Sequence, residues 1–203
     1  MWRKFRSFLA WALAKFPNGE HWVEDIRVWR ARRGFQAWVK YQNASDRRVS
    51  PRMKLIRSYG YANIHTQPGL IIDPDVTVSM MCEVGARPVL ELGKRVYLGR
   101  HTFVSVFEPI TVGDHTIIGA YCYIISANHR YDTRKIPIRD QGYTGAPIII
   151  GEDVWIGTHV VILPGVTIGR GAIIAAGSLV NCNVPEYEVW GGMPARFLKS
   201  RPG

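Results

Sequence analysis

The chain is poor in cysteine and has no long hydrophobic run. Its 203 residues include only three cysteines, Cys82, Cys122 and Cys182. Their odd number and scattered positions argue against a disulfide framework or a cysteine-based metal site, and favour reduced thiols. No apolar stretch is long enough to span a bilayer. A glycine loop of the P-loop or dinucleotide-binding type is also missing.

Acidic residues are scarce in only one part of the chain. Residues 1–60 hold 14 Lys or Arg against 4 Asp or Glu, whereas residues 61–203 hold 12 of each. The entire formal net charge of +10 therefore lies in the N-terminal segment. The sequence predicts a basic, Trp-rich extension over 1–60, a neutral domain over 61–185 and a C-terminal tail over 186–203.

The N-terminal extension is predicted to be helical because its apolar residues recur at helical spacing. A first stripe contains Trp2, Phe5, Leu9, Ala12, Leu13 and Phe16, and a second contains Trp22, Ile26, Trp29, Phe35, Trp38 and Val39. Basic helices rich in aromatic residues suit an anionic membrane surface. Alternatively, both stripes pack on the open end of the following domain or on a neighbouring subunit.

Two other interpretations of this basic extension are disfavoured. No recognition motif for nucleic acid accompanies the charge. The apolar residues 8–14 are barely enough for a signal peptide, and Lys15 follows at once.

A six-residue rhythm runs through the rest of the chain. Aliphatic residues open fifteen units, at Ile72, Val78, Val84, Leu92, Leu98, Val104, Val112, Ile118, Ile124, Ile150, Ile156, Ile162, Ile168, Ile174 and Val180. A helix would give a period of about 3.6 and a simple strand about 2.0. A strict period of six predicts short strands separated by corners, three strands to a triangular coil. The fold class is therefore an all-β solenoid of about five coils.

Small or β-branched residues occupy the fifth place of most units. They are predicted to stack inside the prism beneath the openers: Val76, Cys82, Thr102, Cys122, Val154, Val160, Val166, Ala172, Ser178 and Val184. Glu108 and Asn128 depart from this pattern. We expect them to stack one coil apart beside His129, although a corner insertion would instead turn them towards solvent.

The interruptions of the rhythm fall at one corner, and the largest follows Ile124. The next opener, Ile150, comes 26 residues later instead of six. A loop over about 130–149 therefore leaves the third coil, and long loops on a regular scaffold are usually functional. His129 stands at its base, where a strand would hold a catalytic base rigidly.

Four segments closely resemble the hexapeptide-repeat acyltransferases, and within them the sugar and polysaccharide O-acetyltransferases: Gly151–Gly157, Val161–Gly169, Ala175–Val180 and Gly191–Arg196. The resemblance covers roughly residues 70–200. It implies a left-handed parallel β-helix, a homotrimer with active sites between neighbouring prisms, and acetyl-CoA as co-substrate. It also implies that His129 is catalytic, because Ser126–Asp132 matches the place of the family's catalytic histidine.

The same resemblance places the pantetheine arm, while charge and position suggest the other binding residues. The pantetheine arm would lie along Trp155, Gly157, Thr158, Ala175, Ala176 and Gly177, although Trp155 also suits a packing role. Arg196, Lys199 and Arg201 would meet the nucleotide phosphates, unless they form a solvated basic tail. His101, Tyr131 and Asp132 are candidates for binding the acceptor. Related enzymes often have an asparagine near the position of His101, so the chain departs from the family there.

The predicted reaction is direct acetyl transfer to a saccharide hydroxyl, with His129 as general base and Asn128 and Glu108 as companions. The acceptor would be a cell-surface or lipid-linked glycan precursor, made in the cytoplasm, with membrane contact through residues 1–45 as a further hypothesis. N-acetylation of an amino-sugar nucleotide is the alternative within enzymes. A zinc carbonic-anhydrase-like protein is disfavoured, since His101, His115, His129 and His159 show no tight ligand spacing and no metal is expected. A noncatalytic scaffold is the remaining alternative.

Overall fold

The computed structural model describes residues 36–56, 63–81 and 83–203. The aromatic stripes predicted within residues 1–35 and the inward position predicted for Cys82 lie outside the described residues. Residues 36–43 form a helix, α1, and most of the remaining regular structure is short β-strand. No helix among the described residues has the length and apolar character needed to cross a membrane.

Three sheets form the three faces of a triangular prism. Face A contains β1 (Arg48–Val49), β4 (Ile71–Ile72), β7 (Tyr97–Leu98), β10 (Ile117–Ile118), β15 (Trp155–Ile156), β18 (Ile173–Ile174), β20 (Glu188–Gly191) and β21 (Arg196–Ser200). Face B contains β2 (Lys54–Ile56), β5 (Thr77–Met80), β8 (Phe103–Val106), β11 (Tyr123–Ile125), β16 (Val161–Ile162) and β19 (Leu179–Val180). Face C contains β3 (Ile64–Thr66), β6 (Leu90–Leu92), β9 (Ile110–Val112), β14 (Ile148–Ile150) and β17 (Thr167–Ile168).

Successive coils stack in register on every face. Ile118 lies between Leu98 and Ile156 on face A, and Ile124 lies between Val104 and Ile162 on face B. The chain visits C, A and B in turn through five coils, from β3 to β19, which confirms the predicted parallel β-helix of five triangular coils. The fold follows from the hexads because fourteen of the fifteen openers are buried, all except Val84, while the corners expose polar residues.

The core is the column of aliphatic openers and the small residues beneath them. Ile118, Ile156, Ile162 and Ile174 are fully buried, and burying such a side chain contributes about 1.5–3 kcal/mol. All nine described fifth-place residues predicted to point inward are buried. Close stacking also explains the corner glycines, since a Cβ at Gly157 would come within 2.6 Å of the Ala176 nitrogen.

The predicted register is wrong at Val84. Its side chain is fully exposed, and the face C strand of that region is β6. Val84 has the right residue type at the right spacing, but it lies in an insertion between β5 and β6. Strand pairing also starts earlier than the predicted boundary at residue 61, because β1 pairs with β4 and β2 pairs with β5.

Helix α1 packs on the first strands of the β-helix. Val39 is buried in the common core, and the Thr66 hydroxyl donates a 2.8 Å hydrogen bond to the Gln42 side chain. The Asn43 side chain bonds both main-chain groups of Val49, at 2.7 and 3.0 Å. This part of the N-terminal extension therefore covers the open end of the prism.

The interruptions of the repeat lie where face B turns into face C, the predicted corner. The connection is long between β5 and β6, short between β8 and β9, and longest between β11 and β14. The last contains a hairpin of β12 (Ala127–His129) and β13 (Tyr143–Gly145). At the C-terminal end, β21 turns back antiparallel to β20.

Candidate active site

The three edges of the prism carry different groups of the predicted site residues. We call them the A–B, B–C and C–A edges, after the faces that they join. His129 and the long insertion lie on the B–C edge. The corners around Thr158 and Ala176 lie on the A–B edge, and Asp153 and Gly171 lie on the C–A edge.

His129 ends strand β12 and is mounted on a hairpin. It lies opposite Tyr143 in the antiparallel pair, and the ring centroids are 4.4 Å apart with an interplanar angle of 34°. The imidazole is exposed, and no hydrogen bond joins it to any other described residue. An accessible imidazole on a strand is suited to accepting a proton from a bound hydroxyl.

Ser126 joins the base of the hairpin to the coil before it. Its buried hydroxyl donates to the Glu108 carbonyl at 2.8 Å and accepts from the main-chain nitrogens of Phe107 and Glu108, at 2.9 and 3.1 Å. The Ala146 nitrogen donates to the Ser126 carbonyl at 3.2 Å. These bonds fix the two ends of the insertion to the scaffold.

Glu108 is buried, as an inward fifth-place residue should be, but its neighbours differ from those expected. Its carboxylate accepts a 3.1 Å hydrogen bond from the Arg87 guanidinium. The Ser126 hydroxyl, and not the Asn128 side chain, contacts the main chain of Glu108 from the next coil. The prediction that Glu108 and Asn128 stack one coil apart is therefore wrong, because the insertion changes the corner geometry after Ile125.

Asn128 and the loop beyond it face solvent. Asn128 is exposed and pairs with Thr144 across the hairpin. The Arg130 guanidinium bonds the Asp132 carboxylate at 2.9 Å, and Tyr131 is highly exposed. The Gln141 side chain bonds the main chain of Thr133 and Ile136, which orders the loop.

The residues predicted for the pantetheine arm come together on the A–B edge. Gly157 and Thr158 form one corner and Ala175, Ala176 and Gly177 form the next, and the Gly177 nitrogen donates to the Thr158 carbonyl at 2.9 Å. The Thr158 hydroxyl lies 2.6 Å from the Ala120 carbonyl and 3.0 Å from Nδ1 of His159. Trp155 is half exposed on face A between Ile117 and Ile173.

His101 also lies on the A–B edge, in a row of stacked rings. Its ring centroid is 4.9 Å from that of Tyr121, which is 5.0 Å from that of His159. His101 therefore lies on the same edge as Thr158, and the B–C edge with His129 is separated from it by face B.

The C-terminal tail separates its three predicted phosphate ligands. Arg196 pairs with Gly191 and Lys199 with Val189 in the β20–β21 ladder, and both side chains are exposed. The Arg201 guanidinium instead bonds the Asp153 carboxylate at 2.9 Å and the Gly171 carbonyl at 3.0 Å on the C–A edge. Arg201 is thus apart from the Thr158 and Ala176 corners, which the sequence alone did not reveal.

The described cysteines offer no acyl carrier beside His129. Cys122 is buried under the A–B edge with its Sγ 3.1 Å from the Gly157 carbonyl, and burial raises the pKa of its thiol. Cys182 is exposed beyond β19. Within the described ranges, no three His, Cys, Asp or Glu side chains are grouped closely enough to hold a metal ion.

Three residues that contribute to the B–C edge were missed in the sequence: Tyr143, Ser126 and Arg87. Tyr143 lies 14 residues after His129, inside a segment that the hexad pattern treats as an insertion. The run Gly142-Tyr-Thr-Gly145 before an apolar strand was the one signal of a returning hairpin strand.

The fold and the hairpin together define a hexad-built β-helix that carries an exposed histidine at its longest insertion. A family model described as bacterial transferase hexapeptide (six repeats) matches residues 147–182. The galactoside O-acetyltransferase of Escherichia coli K12 is 32% identical over 143 residues, covering 68% of this chain and 70% of that protein. The chain belongs to the hexapeptide-repeat transferase family.

Two further similarities agree with this assignment. A probable acetyltransferase of Mycobacterium tuberculosis is 38% identical over 112 residues, but the chain spans 37% of that relative's length. A hexapeptide-repeat acetyltransferase of Vibrio cholerae, solved in complex with acetyl-CoA, is 29% identical with a TM-score of 0.56. The alignment covers 78% of this chain and 70% of that one.

Proposed function

We propose that this protein is an acetyl-CoA-dependent O-acetyltransferase that acts on a saccharide hydroxyl. The observation that carries the proposal is the exposed imidazole of His129, held on a paired strand at the longest insertion of the β-helix. The galactoside-acetylating relative supports a saccharide acceptor, and the solved relative with acetyl-CoA supports the donor.

The proposed reaction transfers the acetyl group directly. The neutral imidazole of His129 takes the proton of the acceptor hydroxyl as its oxygen attacks the thioester carbonyl carbon. The C–O bond forms, a tetrahedral oxyanion develops, and the C–S bond then breaks. The imidazolium returns the proton to the leaving thiolate, which gives free CoA and the O-acetylated sugar. Such general acid–base catalysis contributes about 10²- to 10⁴-fold.

The donor is proposed to lie along the A–B edge. The exposed corners at Thr158, Ala176 and Gly177 offer main-chain groups to the pantetheine amides, with Gly157, Ala175 and Trp155 beside them. Arg196 and Lys199 are exposed cations at the C-terminal end, where they suit phosphates. Arg201 already bonds Asp153, so we assign it a minor role in donor binding.

The acceptor is proposed to bind on the B–C edge next to His129. Glu108 would accept a hydrogen bond from a sugar hydroxyl while Arg87 orients its carboxylate, and Asn128 offers an exposed amide. Tyr131 and Asp132 follow on the same insertion. His101 can contribute only from the other edge of face B or from a neighbouring copy.

A homotrimer would complete the site. In one chain the His129 edge and the Thr158 edge are separated by face B, whereas direct transfer needs the thioester beside the imidazole. A neighbouring prism that brings its A–B edge to the B–C edge meets this need. Half-exposed apolar residues on face A, Ile117 and Trp155, are suited to packing between subunits.

The acceptor is proposed to be a precursor of a cell-surface or lipid-linked glycan, modified in the cytoplasm. The basic, Trp-rich residues 1–45 would hold the enzyme at the inner face of an anionic membrane. Co-sedimentation with anionic vesicles, with and without residues 1–35, tests this part. Equal binding of both forms would remove the membrane proposal.

The activity itself is tested by release of free thiol from acetyl-CoA with a panel of saccharides, glycan precursors and amino-sugar nucleotides. Acetylation of a hydroxyl that depends on His129 supports the proposal. Preference for an amine acceptor would replace it with N-acetylation, which needs the same base. Turnover that is unchanged in His129→Ala would overturn the catalytic assignment.

A further inference from the structure

Tyr143 is the one described aromatic residue whose ring contacts the imidazole of His129. The centroid distance of 4.4 Å and the tilt of 34° place the two rings in an offset, partly stacked arrangement. The contact is reinforced by the backbone, because the two residues are directly opposed in the β12–β13 ladder.

The Tyr143 ring is itself held in place by apolar side chains. It packs on a small apolar cluster of Met81, Phe107 and Ala127, separate from the core of the prism. Its centroid is 6.2 Å from that of buried Phe107. Gly145 allows this approach, since a Cβ there would come within 2.5 Å of the Phe107 ring. The ring is therefore fixed to the scaffold while its other side supports His129.

The contact matters because His129 must become a cation during the proposed reaction. Glu108, the carboxylate expected to support it, is bonded to Arg87 instead. An aromatic face within about 6 Å attracts an imidazolium through the ring quadrupole. The Tyr143 ring meets that distance and restricts the side-chain rotation of an otherwise exposed histidine.

We propose that Tyr143 is the positioning residue of the catalytic base: its ring orients the His129 imidazole and stabilises the imidazolium formed when the base takes the acceptor proton. The inference rests on the proposed function, and it assigns the role to the ring face and not to the phenol hydroxyl. It therefore predicts that Tyr143→Leu, which removes the ring, and Tyr143→Phe, which keeps it, have different effects.

Steady-state kinetics of the full-length protein give the first test. Tyr143→Leu should lower kcat by about 3- to 30-fold, the range of a cation–π contact, with the KM for acetyl-CoA unchanged. Tyr143→Phe keeps the ring and should restore kcat to within about twofold of wild type. Tyr187→Leu, the same change on the C–A edge, is the matched control. A Phe variant as impaired as the Leu variant would overturn the role of the ring.

A spectroscopic test does not depend on turnover. The C2 proton of His129, assigned by its disappearance in His129→Gln, should be shifted upfield by the ring current of Tyr143. Tyr143→Leu should move this resonance downfield, and Tyr143→Phe should leave it in place. An unmoved resonance in a Leu variant with a wild-type circular dichroism spectrum would overturn the inference.

The catalytic role of His129 and the positioning role of Tyr143 can be overturned separately. Full activity in His129→Ala would overturn the proposed function. If His129→Ala is inactive while Tyr143→Leu keeps the wild-type kcat, the function stands and the positioning role of Tyr143 is overturned.

Discussion

The hydroxyl of Ser126 donates a 2.8 Å hydrogen bond to the main-chain carbonyl of Glu108, one coil away. The same oxygen accepts from the Phe107 and Glu108 nitrogens. One buried hydroxyl therefore satisfies three main-chain groups at the point where the hairpin leaves the prism. The position of His129 depends on this junction.

Replacing Ser126 should affect both stability and catalysis. Ser126→Ala leaves buried main-chain groups unpaired, which costs about 1–3 kcal/mol of unfolding free energy. The midpoint concentration of denaturant unfolding and kcat should both fall. Thr116→Val is the control, since its buried hydroxyl makes the same kind of bonds, to the Gly151 carbonyl and the Val154 nitrogen, on the C–A edge. If Ser126→Ala loses stability but loses no more activity than Thr116→Val, the position of His129 does not depend on the Ser126 junction.

Removing the imidazole of His129 should abolish most turnover. His129→Gln retains a polar side chain but cannot act as the base, so kcat should fall by about 10²- to 10⁴-fold. Binding of acetyl-CoA, measured by calorimetry, should persist. His115→Asn on the C–A edge is the control, because His115 has a φ of 60° and asparagine tolerates that backbone. Comparable losses in both variants would point to a general defect.

The Arg87–Glu108 pair should govern acceptor binding. Arg87→Ala and Glu108→Gln are each expected to raise the KM for the saccharide several-fold while leaving the KM for acetyl-CoA unchanged. Little stability should be lost in Arg87→Ala, because the arginine side chain is 78% exposed and such pairs contribute about 0–1 kcal/mol. An increase in the acetyl-CoA KM alone would place this pair in the donor site.

Arg196 and Arg201 should behave differently despite their similar position in sequence. Arg196→Ala should raise the KM for acetyl-CoA several-fold, since it removes an exposed cation at the end of the A–B edge. Arg201→Ala should leave that KM nearly unchanged and lower the unfolding temperature, because it breaks the bonds to Asp153 and Gly171. The reverse pattern would show that the donor phosphates lie on the C–A edge.

Mixed oligomers test whether the site forms between copies. His129→Ala lacks the base, and Ala176→Trp should block the exposed A–B edge. Each variant alone should be inactive. After the two are unfolded and refolded together, mixed trimers contain sites with an intact base and an intact donor edge, so activity should reappear. Mixtures that stay inactive, while refolded wild type recovers, would place the whole site within one chain.

Much of the fold was predictable because the hexads act locally. Ile118, Ile156 and Ile174 each need only a neighbouring coil of the same length to be buried, so a period of six is sufficient to assign their face. Val84 misled the prediction since an aliphatic residue inside an insertion can match the period without joining a strand. Residue spacing alone does not distinguish an inward hexad position from a loop.

The candidate site was only partly predictable for a related reason. His129 stands out because it ends the regular pattern, and this needs no knowledge of the loop beyond it. Counting hexads past Ile125 assumed that the corner continues unchanged, so Asn128 was predicted to lie beside Glu108, whereas Ser126 makes the contact. The contact of Tyr143 with His129 depends on how the chain returns after the insertion, which no local pattern specifies.

The hairpin leaves the end of the third of the five coils, and that coil has two further coils on either side. Fraying in a solenoid begins at its ends, because each coil contacts only its neighbours. Amide hydrogen exchange should therefore be slowest around β11 and fastest towards the two termini. The molecule can open its terminal coils without moving the strand that holds His129. Local unfolding at the ends of the β-helix therefore leaves the geometry of the base unchanged.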